Sequence, residues 1–108
     1  MTLKLIKREI AKRDIIELAD YIARDSLEAA EQFIVAVVAA FRFLTQTPGA
    51  GARRDYLDPS LTGLRIWPVR GFEKHLVFYR ETVEGLEIVR VLHATRDIEA
   101  LFRSEDEP

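Results

Sequence analysis

Two different periods of apolar and polar positions divide the chain into helical and extended parts. Between about residues 10 and 24, apolar residues recur at the three- and four-residue spacing of one helix face. That face is formed by Ile15, Leu18, Ala19 and Ile22. Charged residues lie mostly off it. An amphipathic first helix is therefore predicted over residues 10–24.

A second and more apolar helix is predicted after Asp25. Asp25 can cap a helix, and Glu28 three residues later fits a capping box. The apolar stripe consists of Ala30, Ile34, Val37, Phe41 and Leu44, and it is widened by Phe33, Ala36, Ala40 and Phe43. The helix is expected to end near Gln46, before Pro48. Because the turn between the two helices is short, they should form an antiparallel hairpin.

Extended segments lie on both sides of this hairpin. Residues 3–8 alternate and predict a short N-terminal strand. Residues 49–59 contain Gly and Pro without a period and predict a surface loop. Three further strands are predicted at 64–69, 73–81 and 86–93, joined by two turns into successive hairpins. Thr95 is a candidate cap for a short last helix over 97–102, and 104–108 is expected to be a frayed acidic tail.

This order of elements predicts an α+β fold. An N-terminal strand precedes an antiparallel two-helix hairpin, which packs on one face of a mostly antiparallel sheet of three further strands, and a short C-terminal helix follows. The length of 108 residues fits a single domain over residues 1–108.

The composition excludes several kinds of site. There is no cysteine, so disulfides, zinc–cysteine sites and thiol catalysis are excluded. The N-terminus lacks the apolar run of a secretory signal. The longest uncharged apolar stretch, 33–41, is much shorter than the roughly 20 residues that span a bilayer. A soluble, cytoplasmic protein without membrane contact is expected.

Charge is unevenly distributed along the chain. The net charge is −2, from 16 basic and 18 acidic residues. Residues 51–96 contain eight Lys/Arg against six Asp/Glu, a balance of +2, whereas 97–108 contain one Arg against five acids, a balance of −4. Proteins that bind phosphate backbones usually carry a clear positive excess, so the pattern gives little support to nucleic-acid binding.

Four segments together resemble the RelE/ParE family of bacterial toxins. The first is Asp-Ile-Ile-Glu-Leu-Ala-Asp-Tyr-Ile-Ala over residues 14–23, followed by the Ala- and Phe-rich second helix. The others are Gly-Leu-Arg-Ile-Trp-Pro-Val over 63–69, the hairpin segment 71–80, and the closing strand 87–97 with its Arg-Asp pair. The resemblance covers roughly residues 3–103. It rests on the ordered set, because no single motif is decisive.

The resemblance implies the same fold and a toxin–antitoxin function. The expected partner is a ParD-like antitoxin with a ribbon-helix-helix DNA-binding part, in a hetero-oligomer that reaches operator DNA only through the antitoxin. Family members of the ParE type bind DNA gyrase and trap it on cleaved DNA. Members of the RelE type cleave messenger RNA in the ribosome. A third possibility is a member that has lost toxicity and keeps only antitoxin binding and operon repression.

The residues favour the gyrase-binding branch. RNA cleavage without a metal needs a group that activates the 2′-hydroxyl, a proton donor and cations. Possible suppliers are Arg65, Arg70, Arg80, Arg90, Arg96, His75, His93 and Tyr79. However, the acidic end of the chain would repel RNA. We therefore expect a protein inhibitor with no catalytic residues, no substrate pocket, no cofactor and no metal site. Its expected target contacts are Arg65, Arg70, Arg80, His93 and Arg96.

Structural interpretations compete with several of these assignments. His93 can hold the turn after the last strand, and His75 can be a cross-strand neighbour. Arg96 and Asp97 can form an ion pair or contact that fixes the last helix. The wide apolar face of the second helix can be covered by the first helix and the sheet, or it can leave a groove for an antitoxin helix. For the groove we expect Phe33, Val37, Phe41 and Trp67 as antitoxin contacts.

Overall fold

The predicted α+β fold is confirmed by a computed structural model, which describes residues 2–54, 62–96 and 98. The elements are β1 (Leu5–Lys7), α1 (Glu9–Ala23), α2 (Leu27–Gln46), β2 (Ala52–Arg53), β3 (Arg65–Val69), β4 (Phe72–Thr82) and β5 (Gly85–His93). The strands form one sheet in the order β1-β5-β4-β3-β2. β1 is parallel to β5, and the other neighbouring strands are antiparallel. The predicted last helix, apart from Ile98, and the tail lie outside the described residues.

The start of α2 differs from the prediction by one residue. Ser26 is the N-cap, and its Oγ accepts a hydrogen bond of 3.1 Å from the Ala29 N–H. Asp25 does not cap the helix, because Ser26 is the extended residue directly before α2, with φ −156° and ψ 113°. The turn between the two helices is therefore as tight as the sequence predicted, but the predicted cap was wrong.

The prediction of a loop over 49–59 was wrong at β2, which pairs with β3 at the sheet edge. The buried Tyr79 holds the approach to β2. The Gly51 N–H donates to the Tyr79 hydroxyl at 2.8 Å, and this hydroxyl donates to the Pro48 carbonyl at 2.8 Å. A Cβ atom on Gly51 would lie 2.6 Å from the Tyr79 hydroxyl oxygen, so the close approach of the two residues requires glycine at this position.

The core lies mainly between the helical hairpin and one face of the sheet. Its fully or nearly fully buried members include Phe33, Val37, Phe41, Leu44, Val77, Tyr79, Leu86, Ile88 and Val91. A smaller cluster on the opposite face is formed by Leu64, Phe78, Val89 and Leu92. Both faces of the central strands are therefore buried.

A β-bulge changes the alternation of β5. Phe78 pairs with Arg90, but the next residue, Tyr79, pairs with Ile88, so Val89 is an extra residue on β5. Ile88 and Val91 consequently face the same core although they are three residues apart. In a regular strand, residues three apart point to opposite faces.

β1 forms one edge of the sheet and pairs in parallel with β5. The Leu86 N–H donates to the Lys4 carbonyl at 2.8 Å, and the Arg8 N–H donates to the Ile88 carbonyl at 3.1 Å. Glu87 joins three strands, because it accepts hydrogen bonds from Arg80 on β4 at 2.8 Å and from Arg8 after β1 at 3.3 Å. β1 ends at Lys7, so no described strand pairs with β5 on this side beyond Ile88.

Candidate functional site

A groove of about 610 Å³ lies between α1 and the part of β5 beyond β1. One wall is formed by α1 residues, among them Glu17 and Tyr21, and by Arg24 directly after the helix. The other is formed by the end of β5 and the residues after it, with His75 of β4 behind them. The sequence predicted no pocket. It missed this groove because residues about 70 positions apart in the chain line it.

A buried ion pair forms the floor of the groove. Arg90 donates to Asp14 through Nε and Nη2, both at 2.8 Å, and each residue is only 7% exposed. The Val91 N–H also donates to Asp14, at 3.1 Å. Because β1 has already ended, the Asp14 carboxylate takes the place of a neighbouring strand at this edge. The carboxylate thereby accepts a hydrogen bond from a buried backbone N–H, and leaving such a group without an acceptor would cost free energy.

Two histidines lie next to each other behind the ion pair. His75 and His93 are cross-strand neighbours, and their rings meet edge to face with centroids 5.0 Å apart. His75 also contacts Phe33, with a centroid distance of 5.0 Å. Burial lowers the pKa of His75, and the nearby His93 lowers it further, while the Phe72 backbone opposes the shift. The neutral ring is therefore favoured at His75.

His93 has the turn-holding role that its sequence position suggested. The Thr95 N–H donates to His93 Nδ1 at 3.2 Å, and the Thr95 hydroxyl lies 2.8 Å from the same nitrogen. Since a backbone N–H can only donate, Nδ1 accepts, and a neutral His93 carries its proton on Nε2. Arg96 follows this turn, is exposed, and lines the groove. The groove thus brings together His93 and Arg96 of the predicted target contacts.

The other three predicted target contacts lie elsewhere, and they do not share one face. Arg65 donates from Nη1 to the Gly51 carbonyl at 2.8 Å and supports the segment before β2. Arg80 pairs with Glu87 at 2.8 Å. Arg70 is exposed in the turn between β3 and β4, at the opposite end of β3 from Arg65. Arg65 pairs with Tyr79, the neighbour of Arg80, so the strand register separates the side chains of these two arginines.

The predicted antitoxin contacts are divided between core and surface. Phe33, Val37 and Phe41 are buried under the sheet face and contribute to the main core. Trp67 is half-buried on β3 and packs against Phe43 of α2, with ring centroids 5.0 Å apart. The apolar residues of α2 that the solvent reaches are instead Leu27, Ile34, Val35, Val38 and Phe43.

Two observations limit other kinds of site within the described residues. They contain no cluster of three or more His, Asp and Glu side chains placed to hold a metal ion. No described helix has both the length and the apolar run needed to cross a membrane.

Comparison with known proteins supports a family assignment. A family profile described as "ParE toxin of type II toxin-antitoxin system, parDE" matches residues 5–98. A solved structure described as "Chromosomal ParDE TA system from P. aeruginosa" has a similar fold, with a TM-score of 0.68 and 20% sequence identity. The match covers 85% of this chain and 96% of that one. No curated protein sequence matches the chain. The family match extends over most of the chain, which therefore belongs to the ParE toxins of type II toxin–antitoxin systems.

Proposed function

We propose that this ParE-family toxin inhibits DNA gyrase by binding it in the bacterial cytoplasm. The observation that carries the proposal is that three of the five arginines considered for RNA cleavage are paired within the chain. Arg90 pairs with Asp14, Arg80 pairs with Glu87, and Arg65 donates to backbone carbonyls. Cations held in this way contribute little to binding an RNA backbone, where affinity depends on neutralised phosphates. Binding to a protein target does not require an excess of unpaired positive charge.

The groove supplies the contact surface of this proposal. Its rim carries exposed Tyr21, Arg24 and Arg96 around a rigid floor made by the ion pair. Aromatic and arginine side chains are enriched among the residues that dominate protein–protein binding energy. Binding there would stabilise one conformational state of gyrase without any covalent step by the toxin.

The test is a gyrase supercoiling assay with relaxed plasmid and the purified chain, free of antitoxin. We expect lost supercoiling together with accumulating cleaved DNA. Arg96→Glu should raise the inhibiting concentration at least about tenfold, the size expected when an arginine that dominates the binding energy is lost. Arg13→Glu, a matched reversal on the exposed side of α1, should have no effect. Gyrase that supercoils normally at toxin excess refutes the proposal.

We also propose a ParD-like ribbon-helix-helix antitoxin as the neutralising partner, through which the pair binds operator DNA. The half-exposed Phe43–Trp67 pair supports an apolar contact with it. Trp67→Ala should weaken antitoxin binding in a titration while gyrase inhibition by the free toxin remains. Tyr21 lies at the groove, so Tyr21→Ala should weaken gyrase inhibition while antitoxin binding remains. Unchanged antitoxin affinity in Trp67→Ala contradicts the proposed contact.

The adjacent histidines support a second candidate function, which is ribosome-dependent cleavage of messenger RNA. His75 and His93 meet in the groove beside Arg96, and neutral and charged imidazoles are the usual general bases and acids near neutral pH. A purified translation system separates the two functions. Cleavage of ribosome-bound messenger RNA that disappears in His93→Gln would replace the gyrase proposal. Expression that causes no growth arrest would instead indicate a toxin that keeps only antitoxin binding.

A further inference from the structure

The solvent-facing side of α2 carries an apolar and charged pattern that neither the core nor the groove uses. The inner side of the helix is buried through Phe33, Val37, Phe41 and Leu44. On the outer side, Val35 is 69% exposed and Val38 is 43% exposed. The two valines are three residues apart and therefore adjacent on the helix surface, so they form a small apolar patch on a side that is ordinarily polar.

The spacing of this outer side is that of a coiled-coil seam. Glu31, Val35, Val38 and Arg42 follow one another at intervals of four, three and four residues, and all four are exposed. This spacing places alternate a and d positions of a heptad on one line along the helix. We name these four residues the α2 seam. Helix α2 has 20 residues, about 30 Å, so the seam occupies its central part.

The charges of the α2 seam select a partner and an orientation. Glu31 lies on one side of the valines and Arg42 on the other. If two copies of α2 pack antiparallel about a two-fold axis between Val35 and Val38, each Glu31 lies opposite Arg42 of the other copy. The same register places Val35 opposite Val38. A parallel pairing would instead place Glu31 against Glu31 and Arg42 against Arg42, which is unfavourable.

We propose that the α2 seam is a self-association surface, through which two copies of this chain form an antiparallel helix pair. The surface is self-complementary in its charges and in the placement of its valines, as a two-fold interface requires. The groove between α1 and β5 is not part of the seam, so each copy keeps its groove. One helix from each copy gives a small interface, at or below the roughly 1,200 Å² at the low end of stable complexes. The dimer therefore dissociates on dilution.

Charge reversal tests this inference with variants that stay folded, because all the changed side chains are exposed. Sedimentation of the purified chain should give a concentration-dependent mass that approaches twice 12.4 kDa. Glu31→Arg and Arg42→Glu should each raise the dissociation constant at least about tenfold, since each places like charges together twice. The double variant Glu31→Arg/Arg42→Glu restores both pairs and should recover most of the wild-type affinity.

Two further measurements test whether the α2 seam binds a second copy of the chain and not another partner. Glu84→Arg, a reversal in the exposed turn between β4 and β5, should leave the dimer unchanged. Gyrase inhibition by Glu31→Arg at equal toxin concentration should also be retained. A wild-type chain that stays monomeric at the highest soluble concentration overturns the proposal. So does a dimer that the α2 reversals leave intact, and so does loss of antitoxin binding without any change in self-association.

Discussion

Asp14 is a residue whose effect on stability exceeds that of an ordinary ion pair. Its carboxylate accepts two hydrogen bonds from the Arg90 guanidinium and one from the Val91 backbone. A buried pair contributes little compared with an apolar replacement of both partners, but loss of one partner leaves the other charge buried.

Asp14→Ala should therefore lower the free energy of unfolding by about 3–5 kcal/mol, the usual cost of removing one member of a buried ion pair. Denaturant unfolding measures this loss. Asp20→Ala, an exposed aspartate on the same helix, is the control and should change stability by less than about 0.5 kcal/mol. Adding Arg90→Met to Asp14→Ala should recover part of the loss. A decrease below about 1 kcal/mol for Asp14→Ala would show that Arg90 finds another partner.

The Tyr79 hydroxyl provides a second residue-scale prediction. It accepts from the Gly51 N–H and donates to the Pro48 carbonyl, and the side chain is fully buried. Tyr79→Phe removes one oxygen and leaves both backbone groups without this partner. We expect a loss of about 1–3 kcal/mol in the free energy of unfolding. Tyr21→Phe, at a tyrosine that is 67% exposed, makes the same chemical change and should be neutral. Equal effects of the two substitutions would contradict the role of this hydroxyl.

At the scale of elements, Glu87 connects β1, β5 and β4. Burial raises the pKa of Glu87, but the hydrogen bonds from Arg80 and Arg8 and their positive charges outweigh it and hold the pKa below the ordinary value of 4.5. A carboxyl group whose pKa is lowered on folding stabilises the protein above its unfolded pKa. That contribution is lost as the pH falls through the folded pKa.

Glu87→Gln should therefore be less stable than the wild type at neutral pH, and the difference should shrink as the pH falls below about 4.5. Denaturant midpoints measured at pH 7 and pH 3 give this comparison. Glu84→Gln, in the exposed turn between β4 and β5, should show no such pH-dependent difference. A stability gap for Glu87→Gln that stays constant between the two pH values would mean that the ion pairs do not carry it.

The elements that the sequence could predict are those specified by local periods. The apolar stripe of α1 and the turns beside Gly71 and Gly85 are local signals, and the structure confirms those elements. The bulge at Val89 is not visible in an apolar run, because the extra residue changes which face each side chain takes without interrupting the run. The wide stripe predicted on α2 likewise did not separate buried Val37 from Ile34 and Phe43, which are exposed.

The groove was beyond prediction for a different reason. Asp14 and Arg90 are 76 residues apart, so no spacing in the sequence connects them. A local sign is the single charged residue within the apolar run 88–92 of β5, which is Arg90. The sequence placed His93 and Arg96 correctly at the end of the closing strand. It did not bring His75 or Tyr21 to the same place, because that requires the helix–sheet packing.

At the scale of the whole molecule, stability should decrease from the centre of the sheet toward β2. β5 lies between β1 and β4 and is buried on both faces along most of its length. β2 has two residues, both exposed, and pairs only with β3 among the described strands. Short, exposed edge pairings open locally, whereas central strands open only when the whole domain unfolds.

Amide hydrogen exchange measures this gradient. The Leu86 amide, which bonds to Lys4 of the N-terminal segment, should exchange only through global unfolding. The Arg54 amide, which bonds to the Leu64 carbonyl beside β2, should exchange much faster and should depend little on denaturant. Equal protection at the two amides would show that β2 and β5 open as one cooperative unit.

The position of Asp14 also has a consequence for aggregation. Beyond β1, the edge of β5 would offer its backbone groups to an extended chain if α1 did not cover it, and uncovered edges template intermolecular β-sheets. Asp14 already occupies the Val91 N–H, and its carboxylate would repel the carbonyl oxygens of an arriving strand. An inward-pointing charge is one of the devices by which natural sheets prevent edge-to-edge growth. The ion pair that forms the groove floor thus also disfavours strand addition at this edge when the toxin is not bound to its antitoxin.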